Sequence, residues 1–140
     1  MTAAARDSAR GVRRRVLVAD DEPHIGRIIK MKLESGPFEV TLAYDGREAE
    51  DALRAADPPF DLCVLDLMMP ERTGLDVLAT LRSELQSTTP AVVLTAAGQD
   101  EQERAAMASG ATAFVTKPFS PKKLYALAAR LTGVTPVEEG

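Results

Sequence analysis

The sequence predicts an α/β fold with a mostly parallel sheet, because short apolar segments alternate with helical patterns five times along the chain. Each apolar segment has the length of a buried strand, and each is followed by apolar residues at helical spacing. Polar residues gather directly after the strands, where an open parallel sheet carries its ligand crevice. At 140 residues the chain is long enough for one domain with its own core.

Composition places the chain among ordinary globular proteins, with 45% hydrophobic and 27% charged residues. No apolar segment approaches the length of a membrane span, and the N-terminus lacks the apolar centre of a signal peptide. We therefore expect a cytoplasmic protein without membrane contact. The single cysteine, Cys63, excludes an internal disulfide, and its apolar neighbours predict a buried thiol.

Charge is distributed unevenly along the chain. Residues 1–15 contain five arginines and one aspartate, whereas the remainder carries 12 basic and 20 acidic residues, a net charge of −8. The acidic remainder argues against direct nucleic-acid binding by the domain. We predict a flexible Arg-rich tail at 1–13, a domain at 14–132 and a flexible C-terminal tail at 133–140. The alternative role for the arginines is contact with an acidic partner or nucleic acid.

The first strand and helix are predicted from local signals. Residues 15–19 form an apolar, β-branched segment that ends in three successive acids. Pro23 suits the first turn of a helix, whose apolar residues recur at helical spacing until Gly36 ends it. Residues 38–43 alternate between apolar and polar side chains, as expected of a half-covered edge strand.

Capping patterns mark the next two helices. Asp45 and Glu48 predict the start of the second helix, and Thr73 and Asp76 could cap the third. Between them lies the central strand, residues 61–66, whose residues 62–65 are apolar and which ends in Asp66. We expect the third helix to turn one apolar set of residues inward: Leu75, Leu78, Ala79 and Leu81.

The last four elements follow in the same alternation. Residues 91–95 form the fourth strand and residues 113–116 the fifth. The helix between them, within 98–109, has only alanines at its apolar positions apart from Met107, so we expect it to be weakly anchored. Ser120 and the proline after it start the last helix.

Reactive side chains stand at the ends of four strands: Asp20 and Asp21, Asp66, Thr95, and Lys117. Converging carboxylates repel one another unless a cation lies among them, and such oxygen ligands suit Mg²⁺. A metal, an ammonium group and a hydroxyl together suit a transferring phosphoryl group. A carboxylate that attacked phosphorus would form a labile acyl phosphate, which can serve as a reversible mark.

Four motifs resemble the receiver domains of two-component response regulators: VLVADDEP (16–23), VLDLMMPERTGLD (64–76), VVLTA (92–96) and FVTKPF (114–119). Each motif alone is weak, but all four in this order and spacing are very specific. The resemblance covers roughly residues 14–132. It implies a flavodoxin-like, doubly wound (βα)5 fold with the strand order 2-1-3-4-5 known from a chemotaxis receiver.

The resemblance implies that Asp66 is the phosphoacceptor. Its phosphoryl group would come from a sensor histidine kinase or a histidine phosphotransfer protein. Mg²⁺, or Mn²⁺, would be held by Asp21 and Asp66, by Asp20 mainly through a water, and by the backbone carbonyl of Met68. Such a protein would catalyse only its own phosphorylation and dephosphorylation and would not be an enzyme for an external substrate.

The resemblance also implies a switch. Thr95 would bind one phosphoryl oxygen and Lys117 another, with a cis peptide between Lys117 and Pro118. Phe114 would turn inward as Thr95 moves, and Gly74 matches the glycine after the acceptor loop. We expect phosphorylation to shift the face formed by the fourth helix, fifth strand and fifth helix, and so to regulate a downstream protein partner. The protein would be a monomer or a phosphorylation-dependent dimer.

Two positions that tune the lifetime of the phosphoryl group in this family are apolar here. Met68 follows Asp66 by two residues, and Ala97 follows Thr95 by two. Neither side chain can position or activate the hydrolytic water, so we expect water attack without side-chain help. The bulk and exposure of these residues leave the rate itself open.

Other functional classes fit less well. A haloacid-dehalogenase-type phosphatase would need an acid at position 68, and a P-loop or dinucleotide-binding protein would need a glycine-rich turn after the first strand. The main alternative is a receiver-fold scaffold that works without phosphorylation, although such proteins would usually have lost an acid or the lysine. The chain is expected to be a stand-alone regulator or the receiver part of something longer.

Overall fold

The computed structural model describes residues 13–134, so most of both predicted tails lies outside the described residues. The strands are β1 (Arg14–Ala19), β2 (Phe38–Ala43), β3 (Leu62–Asp66), β4 (Ala91–Ala96) and β5 (Ala113–Lys117). The helices are α1 (Pro23–Glu34), α2 (Gly46–Ala55), α3 (Gly74–Ala79), α4 (Asp100–Ala108) and α5 (Pro121–Thr132). Helix α3 continues directly into a π-helical segment (Thr80–Glu84). No helix between residues 13 and 134 combines the length and the apolar character needed to cross a membrane.

The strands form one parallel sheet in the order β2-β1-β3-β4-β5, which confirms the fold class and the strand order. The pairing of β1 with β3 places Asp20, just after β1, level with Asp66, the last residue of β3. Thr95 lies in β4 one residue beyond the partner of Asp66, and Lys117 ends β5. The four side chains therefore start from the same edge of the sheet.

Two apolar clusters cover the two faces of the sheet because successive strand residues point to opposite sides. Leu17 and Leu65 pack on the side of α2 and α3, whereas Val18 and Val64 pack on the side of α1 and α5. Cys63 is fully buried, as expected, and burial raises the pKa of its thiol to about 12. The central strands are thus rigid supports for the residues that follow them.

The predicted helix starts are confirmed by their caps. The side chain of Asp45 accepts a hydrogen bond from the amide of Glu48 at 2.8 Å. Thr73 and Asp76 form a reciprocal capping box at the start of α3. Ser120 accepts from the Lys123 amide at 3.2 Å in the first turn of α5. These contacts are local, so the sequence alone was sufficient to predict them.

The inner face of the third helix differs from the one expected. Gly74, Val77, Leu78 and Leu81 are buried, whereas Ala79 is exposed and Leu75 is only partly buried. A Cβ atom at Gly74 would lie 2.5 Å from the carbonyl oxygen of Asp66, so the first turn of α3 packs directly on the backbone after β3. Because of this close approach, the side of the helix that carries Gly74, Val77 and Leu78 faces the sheet.

Arg13, which the sequence placed in the N-terminal tail, is tied to the loop between α1 and β2. Its Nη1 atom donates to the carbonyl oxygens of Glu34, Gly36 and Phe38, at 3.0, 2.8 and 2.9 Å. At the other end, the amide of Val134 donates to the Ala129 carbonyl at 2.9 Å. Both contacts lie at the borders of the described residues.

Candidate functional site

Four carboxylates meet at the carboxyl edge of the sheet. Asp20, Asp21, Glu22 and Asp66 each offer an oxygen, and these oxygens all lie within 4.8 Å of one another. Asp20 is 1% exposed and Asp66 is 5% exposed, whereas Asp21 and Glu22 face solvent. Two buried acids and two exposed acids therefore line one side of an open crevice, where they repel each other.

Lys117 supplies the positive charge in this crevice. Its Nζ atom lies 3.1 Å from Oδ2 of Asp20, 3.1 Å from Oδ2 of Asp66 and 3.3 Å from Oε1 of Glu22. Burial alone would lower the pKa of the ammonium group, but its contacts with Asp20 and Asp66 outweigh burial, so the pKa is raised. Lys117 stays charged and only partly offsets the nearby carboxylates.

Asp66 is held in an environment that disfavours its charge. Burial and then the nearby charge of Asp20 raise the pKa of Asp66 to about 6, against the lowering effects of the Met68 amide and Lys117. The Met68 amide donates to Oδ1 of Asp66 at 3.1 Å, and Lys117 donates to Oδ2 at 3.1 Å. Both carboxylate oxygens are therefore oriented, and the group is ionised near neutral pH.

The donor set fits a hard divalent cation. Oδ1 of Asp20 accepts from the Glu22 amide at 2.9 Å. Its Oδ2 is buried and receives no well-aligned hydrogen bond from residues 13–134, although Lys117 is close to it. A buried oxygen without such a bond, beside several carboxylates, is the arrangement that Mg²⁺ or Mn²⁺ satisfies.

Thr95 is 1% exposed, and its hydroxyl is engaged by helix α4. It donates to Oε2 of Glu103 at 2.8 Å. Phe114 of β5 is 43% exposed and lines a shallow surface cavity together with Glu103 and Met107. The hydroxyl near the crevice and the exposed aromatic ring are thus linked through one helix.

Sequence reasoning placed Asp20, Asp66, Thr95 and Lys117 correctly at one edge of the sheet. The Lys117–Pro118 peptide is cis, as the resemblance implied. Sequence reasoning missed Glu103, whose contact with Thr95 depends on how α4 packs and has no local signature. It also left Glu22 without a role, although the run of three acids was a usable signal.

A family model matches most of this chain. The model described as "Response regulator receiver domain" matches residues 16–129. That range includes every strand residue of the sheet except Arg14 and Arg15. It also includes the residues of the candidate site: Asp20, Asp21, Glu22, Asp66, Thr95 and Lys117. The match therefore covers the sheet and the candidate site together.

Curated relatives are similar over most of this chain. The probable transcriptional regulatory protein TcrX of Mycobacterium tuberculosis (strain ATCC 25618 / H37Rv) is 43% identical over 129 residues, which cover 89% of this chain and 53% of TcrX. The transcriptional regulatory protein SrrA of Staphylococcus aureus (strain NCTC 8325 / PS 47) is 38% identical over 109 residues, which cover 78% of this chain and 44% of SrrA. The chain spans about half the length of these relatives.

Solved structures share the fold almost completely. The Francisella response regulator 1452 receiver domain has a TM-score of 0.78 at 34% identity, covering 86% of this chain and 97% of its own. The chemotaxis response regulator CheY4 of Vibrio cholerae has a TM-score of 0.78 at 32% identity, covering 86% and 99%. The likeness extends over nearly the whole of those two chains.

Proposed function

The chain belongs to the family of response regulator receiver domains of bacterial two-component systems, and we propose that it is a phosphorylation-controlled switch with Asp66 as its phosphoacceptor. Receiver-domain response regulators are generally signalling proteins that do not act on external substrates. Receiver domains bind Mg²⁺ at an acidic pocket and interact with histidine kinases. The functional unit proposed here is residues 14–132, in the cytoplasm.

In the proposed reaction, an oxygen of Asp66 attacks the phosphorus of a phosphohistidine on a sensor kinase or a phosphotransfer protein. An O–P bond forms, the P–N bond breaks, and the electron pair of that bond returns to the histidine nitrogen. Support comes from the carboxylate itself, which is ionised near neutral pH and oriented by the Met68 amide and Lys117. The phosphoryl oxygens carry the developing charge, and the Lys117 ammonium, 3.1 Å from Oδ2 of Asp66, would pair with one of them.

The acidic cluster is the proposed cation site. Asp21 and Asp66 would hold the ion directly, Asp20 mainly through a water, and Met68 through its backbone carbonyl. When bound, Mg²⁺ or Mn²⁺ supplies positive charge to the phosphoryl oxygens. The buried Oδ2 atom of Asp20 supports this assignment, because the described residues give it no well-aligned hydrogen bond.

The proposed switch starts at Thr95. Its hydroxyl has one proton to donate, so binding a phosphoryl oxygen requires it to leave Glu103. Helix α4 would then lose that contact, and Phe114 could turn inward from its exposed position. The face built from α4, β5 and α5 would change and bind its partner differently.

The proposed partner of this face is a transcription effector, because two relatives are described as transcriptional regulatory proteins. The domain itself would act by protein contact, as a monomer or a phosphorylation-dependent dimer, and would not bind nucleic acid directly. Met68 and Ala97 are exposed and apolar, so hydrolysis of the acyl phosphate would proceed without help from these side chains.

The observation that carries the proposal is the contact of Lys117 with Asp66, at 3.1 Å, inside a cluster of four carboxylates. The test is to incubate the full chain with acetyl phosphate and Mg²⁺ and to measure its intact mass. We expect one phosphoryl adduct that disappears with EDTA and in Asp66→Asn. No adduct, or an adduct that persists in Asp66→Asn, would overturn the proposal. Absence of any adduct would favour the phosphorylation-independent scaffold.

A further inference from the structure

A second group of charged side chains lies outside the crevice, under the loop that follows β3. Glu50 of α2 is only 4% exposed. Both of its carboxylate oxygens accept from Nε of Arg72, at 3.2 and 3.1 Å, and Oε2 also accepts from the Thr80 hydroxyl at 2.7 Å. A buried carboxylate needs such partners, because an unpaired charge in that position is strongly unfavourable.

Arg72 belongs to the acceptor loop, which we define as residues 67–73. The loop begins directly after Asp66 and carries Met68. It is folded tightly on itself: the Arg72 amide donates to the Pro70 carbonyl at 2.8 Å, and Glu71 has a φ angle of +69°. A left-handed non-glycine residue is unfavourable by itself, so other contacts must hold the loop in this shape.

Helix α2 holds Arg72 at two points. A Cβ atom at Gly46 would lie 1.7 Å from the Arg72 carbonyl oxygen, so the first turn of the helix lies directly against the loop backbone. One turn later, Glu50 holds the Arg72 side chain. Thr80, at the start of the π-helical segment, donates its hydroxyl to Oε2 of the same carboxylate. The triad Glu50–Arg72–Thr80 therefore joins α2, the acceptor loop and the π-helical segment that continues α3.

We propose that Glu50 is a positioning residue for phosphoryl transfer. Its carboxylate holds Arg72, and through Arg72 it fixes the acceptor loop, so that Met68, whose amide donates to Oδ1 of Asp66, keeps its position. The inference rests on the proposed function, in which Met68 and Asp66 both contact the cation. Outer-shell residues of this kind set the orientation of metal ligands without touching the ion.

The chain offers a matched control. Arg54 of α2 and Glu84 of the π-helical segment also join these two helices, with hydrogen bonds of 2.7 and 3.0 Å. This pair is about half-exposed and does not involve the acceptor loop. A change at Arg54 therefore removes a link between the same helices and leaves the hydrogen bonds of Glu50 with Arg72 and Thr80 in place.

The first measurement uses metal-free protein. In Glu50→Gln the side chain keeps its shape but loses the charge that holds Arg72. We expect the amides of residues 67–69 and 71–73 to exchange about ten times faster than in the wild type, and those of β3 to remain unchanged. Arg54→Gln should leave both segments unchanged. Unaltered exchange of the loop in a folded Glu50→Gln protein would overturn the proposal, as would equal acceleration in both variants.

The second measurement follows phosphorylation by acetyl phosphate as a function of Mg²⁺ concentration. We expect Glu50→Gln to raise the half-saturating Mg²⁺ concentration about 10-fold. Because Arg72 is 47% exposed, Arg72→Gln tests the same contact from the solvent side even if the Glu50 variant does not fold. The double variant should give a smaller shift than the sum of the two single shifts, since both changes remove the contact between Glu50 and Arg72, although Arg72→Gln also removes the ion pair with Asp76. Additive shifts, or no shift, would overturn the proposal.

The two measurements separate this inference from the proposed function. If the wild type takes up no phosphoryl group, the proposed function fails. The exchange experiment on metal-free protein still shows whether Glu50 holds the acceptor loop. If the wild type is phosphorylated and the variants behave like it in both measurements, only the role of Glu50 fails.

Discussion

Asp66 and Asp20 are neighbouring buried acids, and the strand register makes their proximity unavoidable. The two residues are level with each other at the ends of adjacent strands, β3 and β1. Lys117 contacts both carboxylates but carries one charge against two. Burial first, and then the charge of Asp20, raise the pKa of Asp66 to about 6, so ionising this group disfavours the folded chain when no cation is bound.

Asp66→Asn should therefore stabilise the metal-free protein. The folded pKa of about 6 lies above the ordinary value of 3.8, so the ionised side chain destabilises the fold fully above pH 6. That penalty fades as the pH falls from about 6 toward 3.8, and it vanishes only below that value, where the group is protonated in both states. We expect the variant to be more stable by about 1–3 kcal/mol at pH 7.5 and by less than about 1 kcal/mol at pH 4.

The measurement is urea unfolding of both proteins in EDTA at several pH values. Other acids titrate in both proteins, so only the difference between the two curves matters. Added Mg²⁺ should stabilise the wild type more than the variant, because the cation binds the folded protein and Asp66 is one of its proposed ligands. A gap in stability that did not change with pH would contradict the assigned cause.

At the scale of elements, α4 is the helix with the least support. Ala106 is its one buried residue, and its other small side chains make little apolar contact with the sheet. The bond from Thr95 to Glu103 is thus a substantial part of what holds the helix to β4. A hydrogen bond to a charged group contributes about 1.5–3 kcal/mol, which is large against such weak packing.

Glu103→Ala should loosen α4. We expect amide exchange in the Asp100–Ala108 helix to rise at least about tenfold, in line with the loss of more than 1.4 kcal/mol. Glu101→Ala is the control, because Glu101 lies in the same first turn and has the same favourable interaction with the helix N-terminus. Hydrogen exchange read by mass spectrometry distinguishes them. Equal effects of the two variants would show that the helix dipole, and not the Thr95 contact, is responsible.

The packing of α2 on the acceptor loop depends on Gly46. The two backbones approach this closely only because position 46 has no side chain. Gly46→Ala would place a carbon 1.7 Å from the Arg72 carbonyl oxygen, and the backbone must move to accept it. We expect a loss of about 1–3 kcal/mol in the free energy of unfolding. In Gly26→Ala the new carbon lies 3.3 Å from the flexible Leu42 side chain, and alanine favours the helix.

Urea unfolding of the two glycine variants gives the comparison directly. Gly26→Ala should lie within about 1 kcal/mol of the wild type, because the helix propensity gained offsets the close contact with Leu42. A Gly46→Ala protein as stable as Gly26→Ala would mean that the acceptor loop can move away from α2 at no cost in free energy. That result would contradict the tight packing of Gly46 against Arg72.

How far the sequence could predict the molecule depended on the range of each interaction. The caps at Asp45 and Thr73 involve residues three apart, and both were predicted. The predicted inner face of α3 was wrong at Ala79, which is exposed. The close contact of Gly74 with the backbone of Asp66 determines which side of the helix faces the sheet, and the apolar spacing alone does not. The triad around Glu50 joins residues up to 30 positions apart, so no local pattern reveals it.

At the scale of the whole molecule, the sheet divides into a rigid part and a less supported part. Residues 62–66 of β3 are all buried, and both its neighbours in the sheet are mostly buried. β5 forms an edge and alternates between partly buried and exposed residues. The strand order that creates this asymmetry came only from the family resemblance, since alternation of elements predicts a parallel sheet but not which strands are neighbours.

Phosphorylation should therefore change one side of the molecule. We expect acetyl phosphate with Mg²⁺ to alter amide exchange in α4, β5 and the start of α5, because Thr95 must leave Glu103 and α4 has few other contacts. Exchange in β1 and β3 should stay constant, since their side chains are buried on both faces of the sheet. Asp66→Asn under the same conditions is the control, and it should show no change anywhere. A response spread evenly over all five strands, or none in α4, would mean that the phosphoryl group is not read through Thr95.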